Sequence, residues 1–225
     1  MPNTRPARPA AVLFDMDGTL VDTERLWWYA ASEVAEGLGG RLTDADLPDI
    51  LGRPIAHAAA YLRRVTGSSR DVRELAGDLD RAFGDRIGSG IRPRPGVPRL
   101  LAELRDAGVP TAVVSASPRR IVDLVVGMLG AEWFTVTVAG EDTPHGKPAP
   151  DPYLAAAARL GARPESCVAV EDSPVGVASA LAAGCPVLAV PSTAPITPSP
   201  GVRILTSLED ADLALLGTLA EAARA

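Results

Sequence analysis

At 225 residues with 47% apolar side chains, the chain is long enough to bury one large core or two smaller ones. Its 22 basic and 28 acidic residues are interleaved, and a net charge of −6 argues against a nucleic-acid or membrane-surface partner, either of which favours a basic patch. The two cysteines, Cys167 and Cys185, sit inside apolar runs and read as small core hydrophobes rather than a disulfide or a metal pair. The first ten residues are polar, Pro-rich and basic, and no segment approaches the length of an apolar membrane span, so a cytoplasmic protein is expected.

Residues 1–9 read as a loose tail. The run Ala11 to Phe14 is the first strand candidate, and it leads straight into Asp15-Met16-Asp17-Gly18-Thr19-Leu20. Extended chain puts residues i and i+2 on one side, so Asp15 and Asp17 can face one site. Two carboxylates held close repel each other, and a divalent cation is the usual means of stabilising the pair. A turn-capped strand end would also use Asp and Gly. A calcium loop is excluded, because it needs a third Asp or Asn where Thr19 stands and Gly where Leu20 stands.

From 22 to 92 no strand pattern is found. Asp22 to Leu38 is helical in pattern, Thr43-Asp44-Ala45-Asp46 has the form of a capping box, and Arg53 to Val65 and Arg70 to Ile87 supply two more helices around Gly67-Ser68-Ser69. This stretch is expected to be a helical domain, 22–92, inserted into a core made of 10–21 and 93–225. Thr19 to Asp22 and Ser89 to Pro95 are the expected hinges.

Beyond the insertion, helices and apolar runs alternate. The runs are Thr111 to Val114, Thr135 to Ala139, Cys167 to Val170, Val187 to Val190 and Val202 to Leu205. They are nearly continuous rather than alternating, as in parallel strands covered on both faces. Val97 to Ala107 stops at Gly108. Ser117-Pro118, Asp151-Pro152 and Ser173-Pro174 each read as an N-cap with Pro at the first helical position, and those helices stop at Gly130, Gly161 and Gly184. The repetition predicts an α/β fold with a doubly wound parallel sheet.

Ligands of such a sheet bind at the carboxyl ends of its strands. After the first strand come Asp15 and Asp17, and after the second Ser115-Ala116-Ser117. After the third come Glu141-Asp142 and the loop with Gly146-Lys147-Pro148, and after the fourth Glu171-Asp172-Ser173. The assembly suits phosphoryl transfer, which needs donors and cations around the phosphate oxygens and a metal to shield an attacking carboxylate. Ser115 and Lys147 can supply donors and charge, and Asp15, Asp172 and Glu171 can hold magnesium.

These residues resemble the haloacid dehalogenase-like hydrolase superfamily, in its β-phosphoglucomutase-like and phosphoglycolate-phosphatase-like branch. Asp15 to Glu24 is similar to its first motif and Ser115 to its second. Lys147 within Gly146-Lys147-Pro148-Ala149-Pro150-Asp151-Pro152-Tyr153 corresponds to the third, and Glu171-Asp172-Ser173 to the fourth. The resemblance implies a Rossmann-like core with an inserted α-helical cap domain, Mg2+ as cofactor, and a small phosphorylated substrate bound by a monomer. It implies Asp15 as nucleophile and Asp17 as general acid and base, with the Asp17 backbone carbonyl on the metal. Ser115, Ala116 and Lys147 would hold the phosphoryl group, Asp172 and Glu171 would complete the metal shell, and Thr19 would lie near the substrate in the turn toward the cap. Asp17 also argues for phosphate chemistry over carbon–halogen cleavage, since a halide leaving group needs no proton.

In the cap, the mutase branch carries a histidine where Trp27 stands, and a phosphate-binding arginine at a place that, counted from Gly52, holds Ile55, with Arg53 and His57 close by. These departures favour a phosphatase over a phosphosugar mutase; Arg53 is kept as a substrate-binding candidate. A catalytically silent binding protein on the same fold is disfavoured because Asp15, Asp17, Lys147 and Asp172 are all intact. Trp27, Trp28 and Tyr29 cannot share one helical face, so one ring is expected in the core and another is a candidate to face the cleft, core packing being favoured for each. Arg119 and Arg120 read as a solvated helix face, with substrate contact by one of them the alternative, and His57 and His145 receive no catalytic role.

Overall fold

The computed structural model describes residues 8–51, 53–192 and 194–224. Each apolar run forms a strand: β1 Ala11–Phe14, β2 Thr111–Val114, β3 Val136–Val138, β4 Cys167–Glu171, β5 Val187–Ala189 and β6 Val202–Ile204. All pair in parallel, in the order β3-β2-β1-β4-β5-β6. Between β1 and β2 lie α1 (Glu24–Gly37), α2 (Leu47–Ile50), α3 (Ile55–Thr66), α4 (Val72–Gly88) and α5 (Val97–Asp106). After β2 come α6 (Arg119–Leu129), α7 (Asp151–Arg159), α8 (Pro174–Ala182) and α9 (Leu213–Ala222).

The strand order changes direction between β1 and β4, and a crevice opens outside the carboxyl ends of the strands at such a switch point. Phe14 lies opposite Val170, and the Asp15 N–H donates to the Val170 carbonyl at 2.9 Å. Asp15 and Glu171-Asp172 therefore leave the sheet side by side. Alternation puts Ala11, Leu13, Ala112, Val114, Cys167 and Ala169 on one face, where they pack with Tyr153, Ala156 and Ala157 of α7 and with Val177 and Ala180 of α8. The same period carries Asp15 and Glu171 toward the α7 side. Cys167 and Cys185 are buried free thiols in this layer, and burial pushes them up to about 11 and about 12.

The chain separates into two compact units: one runs to Val21 and resumes at Pro93, and the other is Asp22–Arg92. In the second, α3 buries Ala58, Ala59, Tyr61 and Leu62, and α4 buries Leu75, Leu79 and Phe83, each at helical spacing. Trp27 and Trp28 pack against this cluster; the Trp27 indole N–H donates to the Ile50 carbonyl at 2.9 Å, and its ring meets Phe83 edge-on with centroids 5.2 Å apart. Tyr29 is the exposed ring, hydrogen-bonded by Arg25 at 3.0 Å.

The capping box holds: the Thr43 N–H donates to the Asp46 carboxylate at 2.7 Å. Ser173 also caps its helix, accepting from the Gly176 N–H at 3.0 Å. At Ser117-Pro118 the helix begins one residue later than expected, with Pro118 at the N-cap position and Arg119 at the first turn. At Asp151-Pro152 it begins one residue earlier, with Pro150 at the N-cap position. The reason is that a proline tolerates either place, since the first helical N–H groups have no intrahelical acceptor.

Candidate active site

The centre of the site is an ion cluster at the switch point. Asp15 is 7% exposed at the end of β1, and its Oδ1 accepts from Lys147 Nζ at 2.6 Å. The same ammonium donates to Glu171 Oε1 at 2.6 Å. Glu171 is fully buried at the end of β4, and both of its oxygens are engaged. Oε1 also accepts from the Tyr153 hydroxyl at 2.7 Å, and Oε2 accepts from the Asp172 N–H at 3.1 Å and the Ser173 hydroxyl at 3.2 Å. Gly176 leaves the room this carboxylate occupies, since a Cβ there would fall 1.8 Å from Oε1. Glu171 thereby fixes the ammonium that faces Asp15.

One ammonium stands among three carboxylates, since oxygens of Asp15, Glu171 and Asp172 all lie within 4.8 Å of one another. Burial, against the pull of Lys147 and reinforced by Glu171, Asp172 and Asp17, holds the Asp15 carboxyl well above the usual range. Burial works against the Lys147 charge, but Asp15 and Glu171 outweigh it and raise the lysine. Burial, then the charges of Glu171 and Asp15, raise the Tyr153 phenol, so it stays a donor.

Asp15 Oδ2 is buried without a hydrogen-bond partner among the described residues. An unpaired buried carboxylate oxygen in a cluster short of positive charge, built of hard oxygen donors, fits a magnesium ion. Asp172 is set for it by two neighbours. Its Oδ2 accepts from the Ser192 hydroxyl, and Gly18, at φ +87°, leaves space that a Cβ would take to within 2.0 Å of that oxygen.

Beside this cluster, Asp17 is half-buried and is held by the β2 loop. Its Oδ2 accepts from the Ser115 hydroxyl at 3.1 Å and from the Ser117 hydroxyl at 2.7 Å. Ser115 is anchored by its N–H on the Val138 carbonyl at 2.9 Å, and Ala116 is exposed between the two serines.

The structure thus brings together Asp15, Lys147, Glu171 and Asp172, and Asp17 with Ser115. Thr19 is 1% exposed, its hydroxyl has no partner among the described residues, and it lines a cavity of about 110 Å³ with Arg94, Val190 and Thr206. Arg53 belongs to the helical unit, where its Nε donates to the Pro48 carbonyl at 3.0 Å; Gly52 beside it lies outside the described residues. His57 pairs with Asp49 at 3.3 Å and His145 with Asp151 at 3.0 Å. Arg119 is a tie rather than a solvated face: it reaches the Thr137 hydroxyl at 2.7 Å and the Asp142 carboxylate.

Sequence reasoning placed Tyr153 in the third motif without a role, missed Ser192 and Gly176, and read Ser117 as a helix cap. The signal for Tyr153 was present, as the one polar-tipped residue on the buried Pro152-Tyr153-Ala156-Ala157 face of α7.

A doubly wound α/β sheet with a lysine-bridged carboxylate cluster at its switch point defines a class of α/β protein with an acidic site at its strand ends. Within that class the chain belongs to the haloacid dehalogenase-like hydrolases, whose family model matches residues 9–184. It is 36% identical to hexitol phosphatase A of Escherichia coli over 190 residues, covering 79% of this chain and 81% of that protein. It is 35% identical over 200 residues to the plasmid-encoded protein CbbY of Cupriavidus necator, covering 81% and 78%. The crystal structure of CbbY from Rhodobacter sphaeroides in complex with phosphate superposes with a TM-score of 0.81 at 28% identity, covering 92% of this chain and 99% of that one. A mutant of the same Rhodobacter protein in complex with xylulose-(1,5)bisphosphate gives 0.79 at 27%, with the same coverage. Among the described residues no helix is long and apolar enough to cross a membrane.

Proposed function

We propose that this protein is a magnesium-dependent phosphatase that hydrolyses a small phosphorylated metabolite, a sugar phosphate or a compound like phosphoglycolate, through an aspartyl-phosphate. The observation that carries the reading is the Asp15 carboxylate, held by Lys147 on one oxygen and without a hydrogen-bond partner on the other among the described residues. Kinship with a hexitol phosphatase and with a CbbY protein seen with a sugar bisphosphate supports the substrate class.

Asp15 attacks phosphorus while Lys147 and Ser115 hold the phosphoryl oxygens. The ester P–O bond breaks, and the departing alcohol oxygen takes a proton from Asp17. Water then attacks the same phosphorus and gives its proton to Asp17, so that inorganic phosphate leaves and Asp15 is restored. Asp15, Asp172, the Asp17 backbone carbonyl and, directly or through water, Glu171 would hold magnesium, whose charge lowers the repulsion between the carboxylate and the phosphate it meets. Ala116, Thr19 and Arg53 remain substrate-contact candidates. Asp22–Arg92 is read as the cap domain that selects among substrates. A cytoplasmic monomer completes the reading, with two buried free thiols agreeing with a reducing compartment.

The test is phosphate release from sugar phosphates, hexitol phosphates, phosphoglycolate, glycerol phosphate and nucleotides, with magnesium and with EDTA, beside Asp15→Asn. The reading expects release from one class, lost in the variant and in EDTA. Full activity in Asp15→Asn would overturn the nucleophile, and activity unchanged in EDTA would remove the metal.

A further inference from the structure

We infer that Ser117 is a positioning residue for Asp17, the one side chain of its loop that keeps hold of the general acid once a phosphate has arrived. The inference rests on the phosphatase reading of Asp17. Two hydroxyls meet at Asp17 Oδ2, Ser115 at 3.1 Å and Ser117 at 2.7 Å. Ser115 also accepts from the Ser117 N–H at 2.9 Å. A serine hydroxyl carries a single proton. When Ser115 donates that proton to a phosphoryl oxygen, it must release Asp17, and Ser117 does not.

The Ser117 hydroxyl is available for this because Pro118 takes the N-cap position of α6 and Ser117 stands outside the helix. Its backbone is fixed on both sides: its N–H is on Ser115, and its carbonyl accepts from the Gly140 N–H at 2.9 Å. Gly140 permits that approach, since a Cβ there would fall 2.5 Å from the Ala116 carbonyl oxygen. Both serines have anchored backbones, and the shorter bond makes Ser117 the firmer of the two contacts.

A residue that places the general acid matters in proportion to how badly the leaving group needs a proton. A sugar alkoxide needs one, and p-nitrophenolate leaves without it. The experiment measures kcat/KM, which reports on steps through phosphoryl transfer, for a sugar phosphate and for p-nitrophenyl phosphate in wild type, Ser117→Ala, Ser117→Thr and Asp17→Asn. Ser117→Ala is expected to lose about 10-fold or more on the sugar phosphate, mostly in kcat, and less than about 2-fold on the aryl ester, with Ser117→Thr restoring most of the loss. Equal losses on both esters, or no loss on either, overturn the proposal, because a merely structural serine has no reason to discriminate leaving groups. Asp17→Asn separates the two levels of the argument. If it shows no leaving-group bias, the reading of Asp17 as general acid fails; if it shows the bias and Ser117→Ala does not, only the role of Ser117 fails.

Discussion

Lys147 is the residue on which the site's electrostatics turn. Its side chain is 5% exposed and bridges Asp15 and Glu171 at 2.6 Å each, so removing its charge strands two buried carboxylates. Lys147→Met is expected to cost about 3–5 kcal/mol, the range for breaking a buried ion pair from one side, and urea denaturation would measure it. Asp15→Asn should act in the opposite direction. It removes one carboxylate from a repulsive set and leaves Lys147 paired with Glu171, so the metal-free variant should gain about 0.5–2 kcal/mol while losing turnover. A destabilised Asp15→Asn would mean that the Asp15–Lys147 bond outweighs the repulsion. Tyr153→Phe probes the support behind the lysine. Without its hydroxyl, Glu171 Oε1 keeps only the ammonium, and inhibition by inorganic phosphate should weaken several-fold with magnesium affinity little changed.

At the scale of elements, the site is made by strand ends and by where helices begin. The strands were legible because buried parallel strands are continuous apolar runs, and the polar residues that follow them were legible because the sheet delivers its strand ends to one edge. Ser117 was misread for a local reason: in Ser-Pro either residue can occupy the N-cap position, and the dipeptide alone does not say which. The role of Tyr153 was not legible because its partner lies 18 residues away on another element, and the Trp27–Phe83 contact joins helices in the same unseen way. Glu171 was expected as a metal ligand, but no sequence pattern shows that both its oxygens already hold partners. The element-scale prediction is at Gly176, in the first turn of α8. Gly176→Ala should disturb the Glu171 carboxylate and lower kcat several-fold, while Ala substitution of the exposed Val175 next to it should leave kcat unchanged.

The whole molecule carries the charge imbalance of its site as a pH-dependent stability. Asp15 is raised in the folded state, so across the window from the ordinary carboxylate value up to its raised value the folded chain keeps a proton that the unfolded chain has lost. Stability of the metal-free protein therefore falls as pH rises through that window. Lys147 is raised too, so its stabilising contribution is complete at every pH below the ordinary lysine value and does not vary across the same window. A cation that binds the ionised cluster reverses the loss. Magnesium near 100 times its Kd should add about 2.7 kcal/mol at neutral pH, or roughly 5–10 °C in Tm for a chain of this size, and much less at pH 5. Differential scanning fluorimetry at both pH values reads this directly, and an equal shift at the two, or none, would count against a carboxylate metal site.

The central claim is covalent: phosphate passes through Asp15. The most direct measurement is a rapid acid quench during turnover of a sugar phosphate, followed by peptide mass spectrometry. A phosphoryl group on the peptide that contains Asp15, absent from Asp15→Asn, is the predicted result. Phosphate release with the adduct on another residue, or with no adduct under conditions where dephosphorylation limits the rate, would contradict it.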